Sequence, residues 1–173
     1  MIATIDAGLT DGNGRRVTLR GITDENWRAV ADVVPRDDQR DWVAESAARY
    51  LLLSLREGVW TSLGVYADET VVGHIMHAYD EDDGCNWIGG MLVDASQQGT
   101  GVGRAALLTL IGDLQDQPDA PGLRLSVHDD NASARKLYAS AGFVELEKDE
   151  DGDWTAELAA ATAADPAASP GQD

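Results

Sequence analysis

The sequence predicts a single α/β domain, and two stretches carry that expectation. From Trp87 to Leu114 a strand-like run passes through the loop Gln98-Gly99-Thr100-Gly101-Val102-Gly103-Arg104 into a helix whose Leu107, Leu110, Ile111 and Leu114 stand at i, i+3, i+4 and i+7, the spacing that buries one helical face. Farther on, Leu123 to Val127 reads as a strand, followed by a helix with Ala134, Leu137, Tyr138 and Ala141 on one side. A chain of 173 residues suits one sizeable core and is short for two.

Taken in order, residues 1–15 hold Gly8, Gly12 and Gly14 with few packing residues and are expected to form a flexible leader. The folded domain is expected over 16–158. Val17 to Arg20 alternates as a strand. Thr23 to Asn26 offers a helix cap before Trp27, Val30, Ala31 and Val34, and Pro35 ends that helix. A second helix is predicted from Asp37 towards Leu53, with Trp42, Val43, Ser46 and Ala47 on one face. Trp60–Tyr66 and Thr70–Tyr79 read as strands joined by an Asp68-Glu69 turn, and Asn86–Val93 as the fourth strand after an acidic turn. Gln115–Gly122, with Pro118 and Pro121, must be a loop. Asn131 can cap the helix that Gly142-Phe143 stops. Val144–Leu146 and Trp154–Leu158 form a last hairpin, and residues 159–173, rich in Ala with Pro166 and Pro170, are expected to be a disordered tail.

The charge balance is lopsided: 13 Lys and Arg against 31 Asp and Glu give a formal net charge of −18. Such a field opposes a nucleic-acid backbone and attracts cations such as amines. A salt-adapted or simply very soluble surface is the plainer reading of acids spread this widely. The single Cys85 excludes an internal disulfide. No basic segment followed by an apolar run suggests export, and no apolar stretch approaches the roughly 20 residues a membrane helix needs, so a cytoplasmic protein with no membrane partner is expected. His74 and His77 fall on opposite faces of a strand and His128 is remote from both, so no metal site is expected.

The glycine-rich loop is the strongest chemical signal. Gly99, Gly101 and Gly103 remove the side chains that would keep backbone N–H groups from a ligand, and the helix behind them supplies unpaired amides at its positive end. Arg104 can add a charge-assisted contact. The loop lacks the Lys-Ser or Lys-Thr of a Walker phosphate loop, and its G-x-G-x-G spacing differs from the dinucleotide fingerprint. By itself it remains open to a second reading, a tight strand-to-helix turn without a ligand.

With its flanks the loop becomes specific. Gln98-x-x-Gly101-x-Gly103, five residues after Val93 in Met91-Leu92-Val93-Asp94, resembles the acyl-coenzyme A loop of the GNAT superfamily of N-acetyltransferases. Leu125-Ser126-Val127, Asn131-x-x-Ala134-x-x-Leu137-Tyr138 and Gly142-Phe143 resemble the same superfamily's later strand and helix, so the likeness runs from about Val17 to Leu158. It implies the GNAT fold, a central mixed and mostly antiparallel sheet of about six to seven strands with splayed fourth and fifth strands, flanked by about four helices. It implies acetyl-coenzyme A as co-substrate, held by the backbone of Met91, Leu92 and Val93, by the loop Gln98, Gly99, Thr100, Gly101, Val102, Gly103 and Arg104, and by Asn131, Ala134 and Tyr138. Gln98 stands where many members have Arg. Gly89 and Gly90 are expected to mark a bulge.

The activity implied is acetyl transfer to an amine by direct attack, with Tyr138 as the general acid that protonates the departing thiolate. A buried aromatic completing a helix face is the plainer reading of Tyr138. Many relatives place a general base on the fourth strand, where Trp87, Ile88, Gly89 and Gly90 offer none. Glu45, Asp80, Asp82 and His77 are the candidates. Arg20 with Ile22-Thr23, Asn26-Trp27, and Gln39 with Trp42-Val43-Ala44 look like the bacterial spermine/spermidine acetyltransferase branch, which implies a small-molecule polyamine or related amine as partner. Amino acids, protein N-termini and aminoglycosides stay open as acceptors, as does a non-catalytic acyl-coenzyme A-binding sensor or partner-binding domain. Dimers are frequent in this superfamily, so the resemblance allows a homodimer.

Overall fold

The structure, a computed structural model, describes residues 4–116 and 119–160. Among these residues seven strands, β1 (Val17–Gly21), β2 (Thr61–Ala67), β3 (Thr70–Asp80), β4 (Cys85–Val93), β5 (Leu123–Val127), β6 (Val144–Lys148) and β7 (Trp154–Leu158), form one sheet in the order β1-β2-β3-β4-β5-β7-β6. Every neighbouring pair is antiparallel except β4 and β5. Parallel strands cannot be joined by a hairpin, and the crossover between those two is α3 (Val102–Gln115). The other helices are α1 (Trp27–Ala31), α2 (Ala47–Glu57) and α4 (Ala132–Ser140). This is the mixed, mostly antiparallel sheet with four helices that the sequence resemblance implies.

Each face of the sheet is covered by a different set of helices. On one, Leu107 and Leu110 of α3 are fully buried with Leu19, Leu63, Ile75, Leu123 and Leu125, so the i, i+3 stripe read from the sequence does face the core. On the other, Val30 of α1 and Val33 just after it pack with Ala47 of α2 and Leu92 of β4. Burial of this kind contributes roughly 1.5–3 kcal/mol per large aliphatic side chain, so β4 is fastened from both sides.

One expectation is corrected, and another acquires specific contacts. Residues 4–15, expected as a flexible leader, lie against β1: Ile5 and Leu19 exchange backbone hydrogen bonds of 2.8 and 3.0 Å, and Val17 N–H donates to Leu9 O at 2.9 Å. The leader thus covers backbone groups that β1, otherwise a sheet edge, would expose. Its loop is closed by the buried Asp11, whose carboxylate accepts from the Asn13 and Arg15 amides and from the Arg15 guanidinium, each at 2.9 Å. The helix predicted from Asp37 to Leu53 is broken into a 3-10 turn at Asp37–Gln39 and α2, which starts at Ala47. Tertiary bonds override its periodicity. The Gln39 side chain is drawn across to Gln98, and Ala47 N–H donates to Val33 O at 3.0 Å.

Of the expected tail, residues 161–173 lie outside the described residues. Among those described, no helix is long and apolar enough to cross a membrane, and no group of three His, Cys, Asp or Glu side chains is arranged to hold a metal.

Candidate active site

The parallel ladder between β4 and β5 is short. It pairs Asn86 with Leu123, Trp87 with Arg124 and Ile88 with Leu125, then stops. Gly89 to Val93 continues beyond it with no β5 partner. On the β3 side the register slips by one residue between the pairs His74–Leu92 and Met76–Gly89, so β4 carries an extra residue there. Gly90 sits in this bulge at φ +53°, and a Cβ on it would lie 3.1 Å from three Met76 atoms. The left-handed backbone therefore favours glycine, and a Cβ would in addition press on the Met76 side chain. Bulge and splay stand at the glycine pair where the sequence resemblance implied them.

Two helix N-termini open onto the splay. Gly101, at φ +84°, caps α3, a helix of 14 residues, so its first amides have no partner within the helix. Asn131 caps α4, its side-chain oxygen accepting the Ala134 N–H at 3.2 Å. Between them lies a cavity of about 500 Å³, within the usual range for small-molecule sites. Its walls are β4 from Ile88 to Val93, the loop from Gln98 into α3, the Ser126–His128 end of β5, and α4 to Tyr138; Arg36, Gln39, Trp42, Val43 and Tyr50 cover it.

Of the residues named from the sequence, Met91, Leu92, Val93, Gln98, Gly99, Gly101, Val102, Gly103, Arg104, Asn131, Ala134 and Tyr138 line this cavity, and Thr100 does not. The Thr100 carbonyl accepts the Gly12 N–H at 2.6 Å and its hydroxyl donates to Gln97 O at 2.7 Å. Because a peptide is planar and trans, a carbonyl turned to Gly12 sends the Gly101 N–H the opposite way. The Gln98 amide donates to Val93 O at 3.0 Å and exchanges bonds with the Gln39 side chain at 2.6 and 3.1 Å. Arg104 reaches Ser140 on α4 at 3.0 Å. The residues present fit acetyl-coenzyme A: unpaired helix amides and Arg104 suit its phosphates, and the unpaired edge of β4 suits its amide-bearing arm.

Tyr138 is half-buried, its hydroxyl 3.9 Å from Met91 Sδ and its ring edge-on to Phe143 at 6.1 Å. Burial, with a smaller contribution from Tyr50, pushes its phenol up to about 12, so it holds its proton throughout the neutral range.

None of Glu45, Asp80, Asp82 and His77 lines the cavity. The Asp80 carboxylate instead closes its own turn, accepting the Asp82 and Asp83 amides at 2.8 and 3.1 Å. His77 is pushed below the usual histidine range by burial, countered by Asp113 of α3 on the far face of the sheet. An imidazole, His128, and a carboxylate, Asp153, also stand on the wall, where sequence reasoning did not place them. His128 stacks on Trp42 with ring centroids 6.2 Å apart. Its Nδ1 accepts the Asp130 N–H at 3.2 Å, so the neutral ring carries its hydrogen on Nε2, as seen from the acceptor role of the other nitrogen. The available signal was its place just past the carboxyl end of β5, where open sheets collect ligands.

Comparison with known proteins agrees with this geometry. The sequence matches the acetyltransferase (GNAT) family over residues 18–143. Among curated proteins it is 27% identical over 134 residues to the spermine/spermidine N(1)-acetyltransferase of Bacillus subtilis strain 168, covering 73% of this chain and 87% of that one. Among solved structures it is similar to Mycobacterium smegmatis RimJ in complex with CoA-disulfide, with a TM-score of 0.71, 18% identity, and coverage of 91% of this chain and 88% of that one. It is also similar to an aminoglycoside acetyltransferase in complex with coenzyme A, with a TM-score of 0.67, 21% identity, and coverage of 83% and 94%. At these identities the two structures speak for the fold.

Proposed function

The chain belongs to the acetyltransferase (GNAT) family, and on that premise we propose that it acetylates a primary amine of a small cationic acceptor, spermidine or spermine before others, with Tyr138 as general acid. The observation that carries the reading is one cavity holding the unpaired amides of α3, the open edge of β4, the Tyr138 hydroxyl and, at its cover, Trp42 with His128 and Asp153. The likeness to a polyamine acetyltransferase and the net charge of −18 support a cationic acceptor.

Bound acetyl-coenzyme A supplies an activated acyl carbon and a thiolate leaving group. The loop amides and Arg104 hold the phosphates, and the backbone of Met91 and Val93 holds the arm along β4. Backbone N–H groups at the bulge face developing negative charge without reorganising, the condition under which such donors act most strongly. Tyr138 keeps its proton on Oη until sulfur leaves. The same burial that weakens the phenol as an acid also raises the proton affinity of a departing thiolate beside it, which keeps the two matched. Asp153 is the side chain on the wall placed to receive a proton from an attacking ammonium, since the one acceptor nitrogen of neutral His128 is already taken by the Asp130 N–H.

The test is thiol release from acetyl-coenzyme A by purified protein with spermidine, spermine, amino acids, an aminoglycoside and a peptide, at low and high salt. Saturable release with a polyamine, weakening as salt screens the acidic surface, is expected. Release with another amine alone would overturn the acceptor; binding of acetyl-coenzyme A with no release for any amine would favour a non-catalytic sensor.

Two variants report separately on the two halves of the cavity. Trp42→Ala removes an aromatic face for the cation, an interaction worth about 0.5–2 kcal/mol, and should raise the acceptor KM about two- to thirtyfold with the acetyl-coenzyme A KM unchanged. Gly12→Ala acts from outside. A Cβ on Gly12 would stand 2.9 Å from Thr100 O, forcing apart the bond that orients the loop. Loss of one hydrogen bond of about 1 kcal/mol should raise the acetyl-coenzyme A KM about fivefold and leave the acceptor KM alone. Steady-state kinetics with each substrate varied in turn would check both, and a KM unmoved by Gly12→Ala would remove the leader from the site.

A further inference from the structure

We propose that His74 is a positioning residue for acetyl transfer: from behind the cavity wall it locks the Gly90–Met91 peptide of β4 so that the Met91 N–H faces the splay. The inference rests on the acetyltransferase reading above and adds a residue outside the cavity to it.

His74 is fully buried on β3 and does not line the cavity, whereas Gly90 and Met91 do. Its Nδ1 lies 2.7 Å from Gly90 O, and its Nε2 lies 2.9 Å from Ser62 Oγ on β2, which in turn is 2.7 Å from Ser54 Oγ on α2. Donors and acceptors along this row can be assigned. A carbonyl only accepts, so Nδ1 carries the hydrogen; the neutral ring then accepts at Nε2, so the Ser62 hydroxyl donates to it and the Ser54 hydroxyl donates to Ser62. All hydrogen bonds run one way, from α2 to the bulge. The Tyr50 ring lies flat on the imidazole, with centroids 5.5 Å apart and planes at 4°, and this fixes the plane in which the ring can donate.

The bulge explains why such a device is present. In a regular ladder strand carbonyls are met by the neighbouring strand's amides, and an extra residue leaves a carbonyl without that partner. Here a side chain meets it. Peptide planarity then converts a grip on the Gly90 carbonyl into an orientation of the Met91 N–H, which points the opposite way, away from His74. Slack at that peptide would be felt in turnover more than in binding, since misplacing a polarising donor by about 1 Å can cost about 10²-fold. Burial holds the ring down to about 4, so it stays neutral and keeps this hydrogen-bond pattern at neutral pH.

The experiment compares His74→Leu, His74→Asn and Ser62→Ala with the parent. It measures kcat at saturating amine, coenzyme A affinity by calorimetry, and the ring nitrogens by nitrogen-15 NMR. His74→Leu should lower kcat at least tenfold with coenzyme A affinity within about threefold of the parent. His74→Asn, whose amide nitrogen stands where Nδ1 did, should recover most of the loss. In the parent the ring should be neutral with its hydrogen on Nδ1, and Ser62→Ala should disturb that signal and lower kcat by less. Equal impairment of the Leu and Asn variants, a kcat near that of the parent in His74→Leu, or a hydrogen on Nε2 would each overturn the proposal. Should His74→Leu not fold, Ser62→Ala and the parent's ring signal still decide. A parent inactive with every amine would instead overturn the acceptor chemistry, while the NMR result would continue to report on His74.

Discussion

Tyr138→Phe should lower kcat by about 10²-fold or more, the scale expected for losing an acid catalyst, with little change in the KM for acetyl-coenzyme A. The substitution removes one oxygen and keeps the ring, so the edge-on contact with Phe143 at 6.1 Å survives. Among the described residues the hydroxyl it removes has only the Met91 sulfur within reach, at 3.9 Å, so little folding energy depends on it. A large loss of turnover in a variant of unchanged stability would therefore report on proton transfer. The wild-type pH profile adds a second reading. Since the phenol is pushed up to about 12 by burial and by Tyr50, its ionisation should produce no alkaline fall in kcat below about pH 10. Turnover near that of the parent would return Tyr138 to the role of a packing residue on α4.

Acid should destabilise the fold well before the carboxylates protonate, and His74 is the cause. Burial lowers its imidazole from an ordinary 6.5 to about 4, so the unfolded chain takes up a proton that the folded chain refuses. Below pH 6.5 the unfolded state binds more protons and stability falls as pH falls; near pH 4 the folded ring protonates too and the loss levels off. A gap of this size corresponds to about 2–3 kcal/mol lost between pH 7.5 and 4.5. His77, also lowered by burial, adds to the same window. Asp11 belongs to a lower one. Its burial raises the carboxyl, but the bonds from the Arg15 and Asn13 amides and the Arg15 guanidinium bring it below 3.8, so its contribution persists above that value and is lost only as pH falls further. Urea unfolding at pH 7.5, 5.5 and 4.5 should show the midpoint falling at constant slope, and His74→Asn should flatten that dependence. A midpoint indifferent to pH above 4.5 would contradict a buried neutral imidazole.

The acid window and the turnover of the His74 variants meet in one side chain, for a physical reason. A ring that must donate at Nδ1 and accept at Nε2 can do so only while neutral. The burial that keeps it neutral is the same burial that costs stability in acid.

Local pattern made much of this fold readable. The α3 stripe of Leu107 and Leu110 is fully buried, the Asn131 cap does bond the Ala134 amide, and the bulge stands at Gly90 where paired glycines interrupt an apolar strand. Each depends on residues within about two turns or one strand of one another, and periodicity and capping report at that range. The same logic failed where distant bonds outweigh local preference. The helix expected from Asp37 breaks because Gln39 bonds with Gln98, 59 positions away, and the bond from Gly12 to the Thr100 carbonyl spans a distance along the chain that no local pattern reports.

By itself, then, the chain's linear order determined the elements, their caps and the glycine loop that identifies the acetyltransferase fold, because these follow from spacing along the backbone. Only the tertiary structure decided which side chains share the cavity. The sheet order and the α3 crossover bring Tyr50, His128 and Asp153 to one space, and the fold removes Glu45, Asp80, Asp82 and His77 from it. The bulge likewise turns His74, from the sequence one of two histidines on opposite faces of a strand, into the partner of a backbone carbonyl 16 residues away. Such contacts are set by burial and by the need of every buried polar group for a partner, conditions that exist only once the layers have closed.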